Sequence, residues 1–162
     1  RHRPTGFEFL FFNLHMDHVG KRARVESAYL VQRKIQELGK GLPAILTGDF
    51  NVDQTHSSYN VFVSEGVLRD AYQVCDLRYA PNGTFNSFEA ENFTESRIDH
   101  IFLSPVFHVR KYGVLTDTYR SEDICTVEAE KRDAPREISL KRYRARVPSD
   151  HFPVMVQVTV DD

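Results

Sequence analysis

Apolar, strand-like runs in this chain repeatedly meet an acid, an amide or a histidine: Asn13-Leu14-His15, Gly48-Asp49-Phe50-Asn51, Arg97-Ile98-Asp99-His100 and Ser149-Asp150-His151. Strands alternate their side chains and converge at their ends, so groups far apart in sequence can meet at one edge of a sheet. A chain patterned this way is constrained to gather its polar cargo there. Metal-assisted phosphate chemistry uses this residue mix, hard oxygen ligands for a cation beside imidazoles that carry protons.

The intervening pattern supplies the rest of the sheet. Phe7 to Leu14 is apolar on both faces apart from Glu8, which predicts a central buried strand with Asn13 and His15 at its carboxyl end. Val25, Ala28, Tyr29, Ile35 and Leu38 recur at helical spacing, predicting an amphipathic surface helix from Lys21 to Leu38 that Gly39 and Gly41 end. Pro43 to Thr47 reads as a second buried strand running into Gly48-Asp49. Ser57-Ser58 predicts the cap of a short helix reaching Glu65, and Leu68 to Val74 is ambiguous. Arg97 to Leu103, Phe107 to Leu115 and Phe152 to Val160 follow as strands.

Residues 119 to 148 change character. They are dense in charge, punctuated by Pro135 and Pro148, and read as a long excursion before the last strand. Its basic segment, Lys141-Arg142-Tyr143-Arg144-Ala145-Arg146, is either a phosphate contact or a solvated face.

With 162 residues, 41% of them hydrophobic, the chain can bury one substantial core, and one domain is expected. A net charge of −2 gives no global basic field to draw nucleic acid. Cys75 and Cys125 are too few for a disulfide framework and lack metal-binding spacing, so they read as free thiols. No apolar run approaches the roughly eighteen residues of a membrane span. The opening Arg1-His2-Arg3-Pro4 lacks a methionine, which reads as a fragment or a processed product and leaves localisation open.

Asp49 and Asn51, two residues apart after a buried strand, can face the same side of its mouth, with Gly48 giving the backbone room to turn. The plain structural alternative is an Asx turn capping the next segment. Asp99 stands in an apolar run and needs a partner, because an unpaired buried acid costs on the order of several kcal/mol. Asp150-His151 supplies one, an acid beside an imidazole whose tautomer a carboxylate can fix. Adjacent strand residues point to opposite faces, so both serve one site only if the backbone is irregular after Pro148. His15, Asp17 and His18 raise a zinc reading, but His-x-x-His off a strand does not converge its rings. His15 alone is the candidate there; His18 and His100 read as structural, and His2, His56 and His108 carry no role.

Taken in order, these motifs, extended to Arg97-Ile98-Asp99-His100-Ile101-Phe102 and Ser149-Asp150-His151-Phe152-Pro153-Val154, resemble the endonuclease/exonuclease/phosphatase superfamily with the DNase I-like fold. The resemblance covers nearly the whole chain. It implies an α/β (α+β) class, half of a four-layered α/β sandwich, with a mixed, mostly antiparallel sheet and helices on its outer face. Residues 1–162 would be a single domain matching the carboxyl-terminal half of a larger one. The implied activity is a magnesium-dependent phosphoesterase, with manganese as the other candidate cation, hydrolysing a phosphodiester or phosphomonoester by metal-assisted water attack. His151 paired with Asp99 would activate water or steady the phosphate, and His15 would stabilise the phosphate or assist the leaving group. Asp49 and Asn51 would position the nucleophile and a scissile oxygen. Asp150 would bind the metal, with Asp49 and Asn51 as further candidate ligands. Substrates open to such a site are a nucleotide, a nucleic acid, an inositol phosphate or a lipid headgroup.

The family's amino-terminal half, with its early asparagine and metal-binding glutamate, has no counterpart in this sequence. The fragment is therefore expected to be inactive alone, and to meet that half or a second copy through its exposed sheet face. A binding or scaffold domain that kept the fold without the chemistry is the alternative, and retention of His15, Asp49, Asn51, Asp99, Asp150 and His151 together argues against it. Specificity is expected in residues 76 to 96, with Phe85, Phe88 and Phe93, and in the excursion at 119 to 148.

Overall fold

A computed structural model describes residues 1–64, 66–79, 82–122 and 143–160. Glu65, Cys125, Pro135 and the Lys141-Arg142 start of the basic segment lie outside the described residues. Strand β1 (Leu10–His15) passes through helix α1 (Lys21–Gly39) into β2 (Ala44–Asp49), parallel to β1 from Leu10↔Ala44 to His15↔Asp49. A parallel pair needs a crossover, and α1 is that crossover. Helix α2 (Ser57–Ser64), β3 (Arg69–Asp70), α3 (Ala71–Val74) and β4 (Leu77–Tyr79) come next. Then follow β5 (Asp99–Leu103), β6 (Phe107–Val114), β7 (Tyr119–Glu122), β8 (Tyr143–Arg146) and β9 (Val154–Val160).

The fold is α/β with mixed sheets. The described strands divide into a sheet ordered β1-β2-β5-β3, a second ordered β4-β6-β9, and a ribbon of β7 with β8. Period-two alternation sorts the first sheet into two packed faces. Leu10, Phe12, Leu14, Ala44 and Leu46 join Ala28 and Ile35 of α1 and Phe62 of α2 around Phe50 and Phe102. Ile45, Ile101 and Leu103 face the other way, into a cluster with Phe7, Phe9, Phe107, Tyr112 and the valines of β9. Among the described residues no helix is long and apolar enough to cross a membrane.

Several expectations change here. Strand β1 ends the order of its sheet rather than lying centrally, and Phe11, on the face shared with Asn13 and His15, is 61% exposed. The buried stripe of α1 is Arg24, Ala28, Gln32, Ile35 and Gly39, while Tyr29 and Leu38 are exposed. Arg24 and Gln32 can sit inward because each donates to a backbone carbonyl, of Asp17 and Val61 respectively, which offsets the desolvation of their polar heads. Ser57 and Ser58 lie inside α2, and the cap is Nδ1 of His56, which accepts from the Ser58 amide. The ambiguous stretch from Leu68 resolves into β3 and the single turn of α3, with Asp70 accepting from Tyr72 N at its start. The two ends of the charged excursion pair as antiparallel β7 and β8.

A buried ion pair anchors the approach to β5. The Arg97 guanidinium meets Asp70 at 3.1 Å with both side chains buried, and Tyr59 donates its hydroxyl to the same carboxylate at 2.8 Å. Arg97 also lies 3.8 Å over the Tyr72 ring. Such a pair survives burial only when further hydrogen bonds satisfy it, and Tyr59 with Tyr72 N does so.

Candidate active site

Strand register sets the polar ends in one row. His15 is opposite Asp49 across β1 and β2, and Asp49 is opposite Asp99 across β2 and β5. Strands β1 and β2 contribute their last residues, but β5 runs antiparallel and contributes its first. Asp99 therefore opens its strand instead of interrupting it. Two carboxylates directly across a ladder repel each other, and a shared imidazole is what can relieve them.

Gly48 makes the row possible. Its φ is +144°, and a Cβ built there would stand 1.9 Å from the carbonyl oxygen of Leu14. Only glycine lets β1 and β2 approach at that point. The chain then turns through Asn51, at φ 50°, whose amide donates to Oδ1 of Asp49 at 2.8 Å. The Asn51 side-chain amide donates to the Met16 carbonyl at 2.8 Å and to Oδ2 of Asp49 at 3.3 Å. So the Asx turn exists, and it commits one carboxylate oxygen to architecture. The other, Oδ2, lies 3.3 Å from Nε2 of His15 and 3.9 Å from Nε2 of His151.

His151 sits where residues 148–150 bend and before β9 begins, so the irregular backbone that Asp150 and His151 require is present. Its Nδ1 pairs with Oδ2 of Asp99 at 2.8 Å. Burial disfavours charge on this ring, but the Asp99 hydrogen bond and the carboxylates of Asp99, Asp49 and Asp150 outweigh it and raise its pKa above 6.5. The five residues His15, Asp49, Asn51, Asp99 and His151 are thus brought together. His15 is the outermost, with 75% of its side chain exposed.

Asp150 is held differently. Its carbonyl accepts from Asn86 N at 2.7 Å and Ser87 N at 3.1 Å, and its carboxylate meets the Ser149 hydroxyl at 3.3 Å. Among the described residues no group of three or more His, Cys, Asp or Glu is arranged to hold a metal ion. The donor chemistry still fits a hard divalent cation. Magnesium takes one or two protein carboxylates and fills its octahedron with waters and substrate oxygens, and among the described residues the hydrogen bond to the Asp150 carboxylate comes from a neighbouring hydroxyl.

The other histidines lie outside this row. His100 is buried among Phe50, Tyr59 and Phe102, with Nε2 3.0 Å from the Val52 carbonyl, and burial lowers its pKa. His108 pairs with Asp76 at 2.9 Å, His2 meets Thr5 at 2.7 Å, and His18 is exposed. Asp17 accepts from Val19 N and Gly20 N, closing the turn into α1.

One residue that organises the centre escaped the sequence reading. Thr84 is fully buried, and its hydroxyl oxygen accepts from Ile98 N at 2.9 Å and Asp99 N at 3.0 Å. Its carbonyl accepts from Phe152 N at 2.7 Å. It therefore ties the segment of Asp99 to the segment of His151. The only available signal was its place after the Pro81-Asn82-Gly83 turn, which marks a loop and not a buried hydroxyl.

Known proteins share this arrangement of sequence and fold. A protein from Bacteroides thetaiotaomicron described as an endonuclease/exonuclease/phosphatase family protein is 65% identical, with a TM-score of 0.84 over 98% of this chain and 52% of its own. The mannosyl-6-phosphatase of the same organism is also 65% identical, with a TM-score of 0.82 over 97% of this chain and 53% of its own. An endonuclease/exonuclease/phosphatase from Bacteroides vulgatus is 28% identical, with a TM-score of 0.65 over 91% of this chain and 48% of its own. The chain thus spans about half the length of these solved structures. No functionally curated protein matches it. The profile of the Endonuclease/Exonuclease/phosphatase family matches residues 3–151, and the chain belongs to that family.

Proposed function

We propose that the protein carrying this chain is a phosphoesterase whose substrate is a phosphorylated sugar. The observation that carries the chemistry is the imidazole of His151, bonded through Nδ1 to Asp99 while Nε2 faces the row. With the proton held on Nδ1, Nε2 keeps its lone pair. At 3.9 Å from Asp49 it makes no hydrogen bond there, so it is free to take a proton from the water that attacks phosphorus. Asp49 and Asn51 orient that water and a phosphoryl oxygen. His15, exposed at the rim, donates to the developing charge or to the leaving oxygen.

Asp150 would hold magnesium, or manganese in its place, with Asp49 and Asn51 as further oxygen donors. Such a cation neutralises charge building on the phosphoryl oxygens. Its other protein ligands would come from outside this chain, which makes the isolated chain a poor catalyst. The sugar reading rests on the 65% identical mannosyl-6-phosphatase, whose name points to a phosphorylated sugar.

The test is hydrolysis of mannose 6-phosphate with magnesium by the protein that carries this chain, beside its His151→Ala variant. Turnover that disappears in the variant supports the reading. Undiminished turnover by His151→Ala overturns the assignment of the base.

A further inference from the structure

Phe85 stands directly against the imidazole of His151. The ring centroids are 5.2 Å apart at 72°, and an isolated bridge between the two residues fixes their backbones. Yet Phe85 is 43% exposed and belongs to neither core cluster. Three residues on, Phe88 is 61% exposed and also outside both clusters. Aromatic rings dominate core energetics when buried, so a ring left half open against the imidazole of His151, on a loop that leaves a second ring exposed, is available to meet a substrate.

The loop that presents them is held in a disfavoured shape. Ser87 and Phe88 have φ of 56° and 63°, a left-handed conformation that side chains with a Cβ adopt reluctantly. Asn86 keeps it there, its Oδ1 accepting from Phe88 N at 2.8 Å while the Asn92 side chain donates to its carbonyl at 2.8 Å. The Asp150 carbonyl accepts from both Asn86 N and Ser87 N, so the loop is tied to the residue preceding His151. From the ribbon, Arg144 reaches Glu89 at 3.1 Å. Backbone strain sustained by this many bonds accompanies functional positioning more often than chance placement.

We propose that Phe85 and Phe88 form an aromatic platform on which the ring of the substrate's sugar lies, making them specificity-determining residues. This rests on the sugar phosphate reading above and names the surface that selects the sugar. The face of an aromatic ring carries negative potential and attracts the polarised C–H bonds on the apolar side of a hexose, leaving the hydroxyls to water. A phosphate on the exocyclic carbon of a hexose is joined to its ring by a short, flexible link. With the phosphate between His15 and His151, the sugar ring falls beside the imidazole, where Phe85 stands.

The test compares two phosphomonoesters, mannose 6-phosphate and glycerol 3-phosphate, on the protein that carries this chain. The variants are Phe88→Ala and Phe85→Leu, the second retaining an apolar neighbour for His151. Each is expected to lower kcat/KM for mannose 6-phosphate about tenfold, chiefly through KM, while glycerol 3-phosphate stays within about twofold. Equal losses on both substrates would mean that the rings only support His151 and would overturn the platform. So would unchanged kinetics on both. Wild-type protein that hydrolyses glycerol 3-phosphate as well as mannose 6-phosphate overturns the platform and leaves the phosphoesterase standing, whereas no turnover of either ester overturns both.

Discussion

Nδ1 of His151 lies 2.8 Å from Oδ2 of Asp99, although fifty-two residues separate them in the chain. The contact fixes which ring nitrogen carries the proton, and with it which nitrogen is basic. Asp99→Asn keeps the shape but lets the side-chain amide donate to Nδ1, favouring the wrong tautomer. A fall in kcat of about a hundredfold or more is expected in steady-state hydrolysis, with KM changed little. A kcat within a few-fold of wild type would remove Asp99 from the mechanism.

The same geometry sets a pH dependence. Burial works against charge on His151, but Asp99, Asp49 and Asp150 raise its pKa above 6.5 in the folded chain. Because the folded value is the higher one, the protonated ring stabilises the fold fully below about 6.5, the unfolded value, and that contribution is lost as pH rises through the folded pKa. An imidazole NMR titration in chelator-treated buffer should place the His151 midpoint above 6.5 and show it falling in Asp99→Asn. General-base action needs the neutral ring, so kcat/KM should rise with pH along its acid limb. A midpoint below 6.5 would mean that desolvation wins.

Gly48→Ala tests whether the catalytic row depends on backbone approach. The new Cβ would stand 1.9 Å from the Leu14 carbonyl oxygen at a φ of +144°, so β1 and β2 must separate where His15 meets Asp49. A loss of about 3 kcal/mol or more in urea unfolding is expected. Gly41→Ala is the control, since its φ of +89° is equally unsuited to alanine but nothing lies within 4 Å of the added carbon. It should cost only about 1 kcal/mol, the conformational part alone.

How far the sequence carried the site depends on the range of the forces involved. Asp49 and Asn51 were legible because a buried strand ending in Gly-Asp-Phe-Asn confines both side chains to one local turn. His151 and Asp99 were legible as complementary needs, an acid in an apolar run and an imidazole beside irregular backbone, although neither position states a distance. The edge position of β1 was hidden because Phe7, Phe9 and Phe11 are apolar whichever layer covers them, and periodicity does not distinguish a central strand from an end strand with an aromatic face. The buried stripe of α1 was misjudged because Arg24 and Gln32 sit inward by bonding to the carbonyls of Asp17 and Val61, partners outside the helix that helical spacing cannot contain. Ser58 and His56 illustrate the same limit, for an imidazole caps α2 where serines were the obvious candidates.

Thr84 offers the sharpest separation of scaffold from chemistry. Its hydroxyl oxygen accepts from both Ile98 N and Asp99 N, and its carbonyl accepts from Phe152 N. Thr84→Val preserves volume and removes the acceptor, leaving amides at the mouth of β5 without their partner. Each orphaned donor costs about 1–3 kcal/mol, so urea unfolding should show a loss in that range or above. Thr84→Ser keeps the oxygen and gives up one methyl group, about 0.8 kcal/mol. The two variants should therefore divide cleanly in kcat: the valine variant lets Asp99 drift from Nδ1 of His151, while the serine variant holds it. If the valine variant keeps kcat as fully as the serine variant does, the hydroxyl is not what positions Asp99.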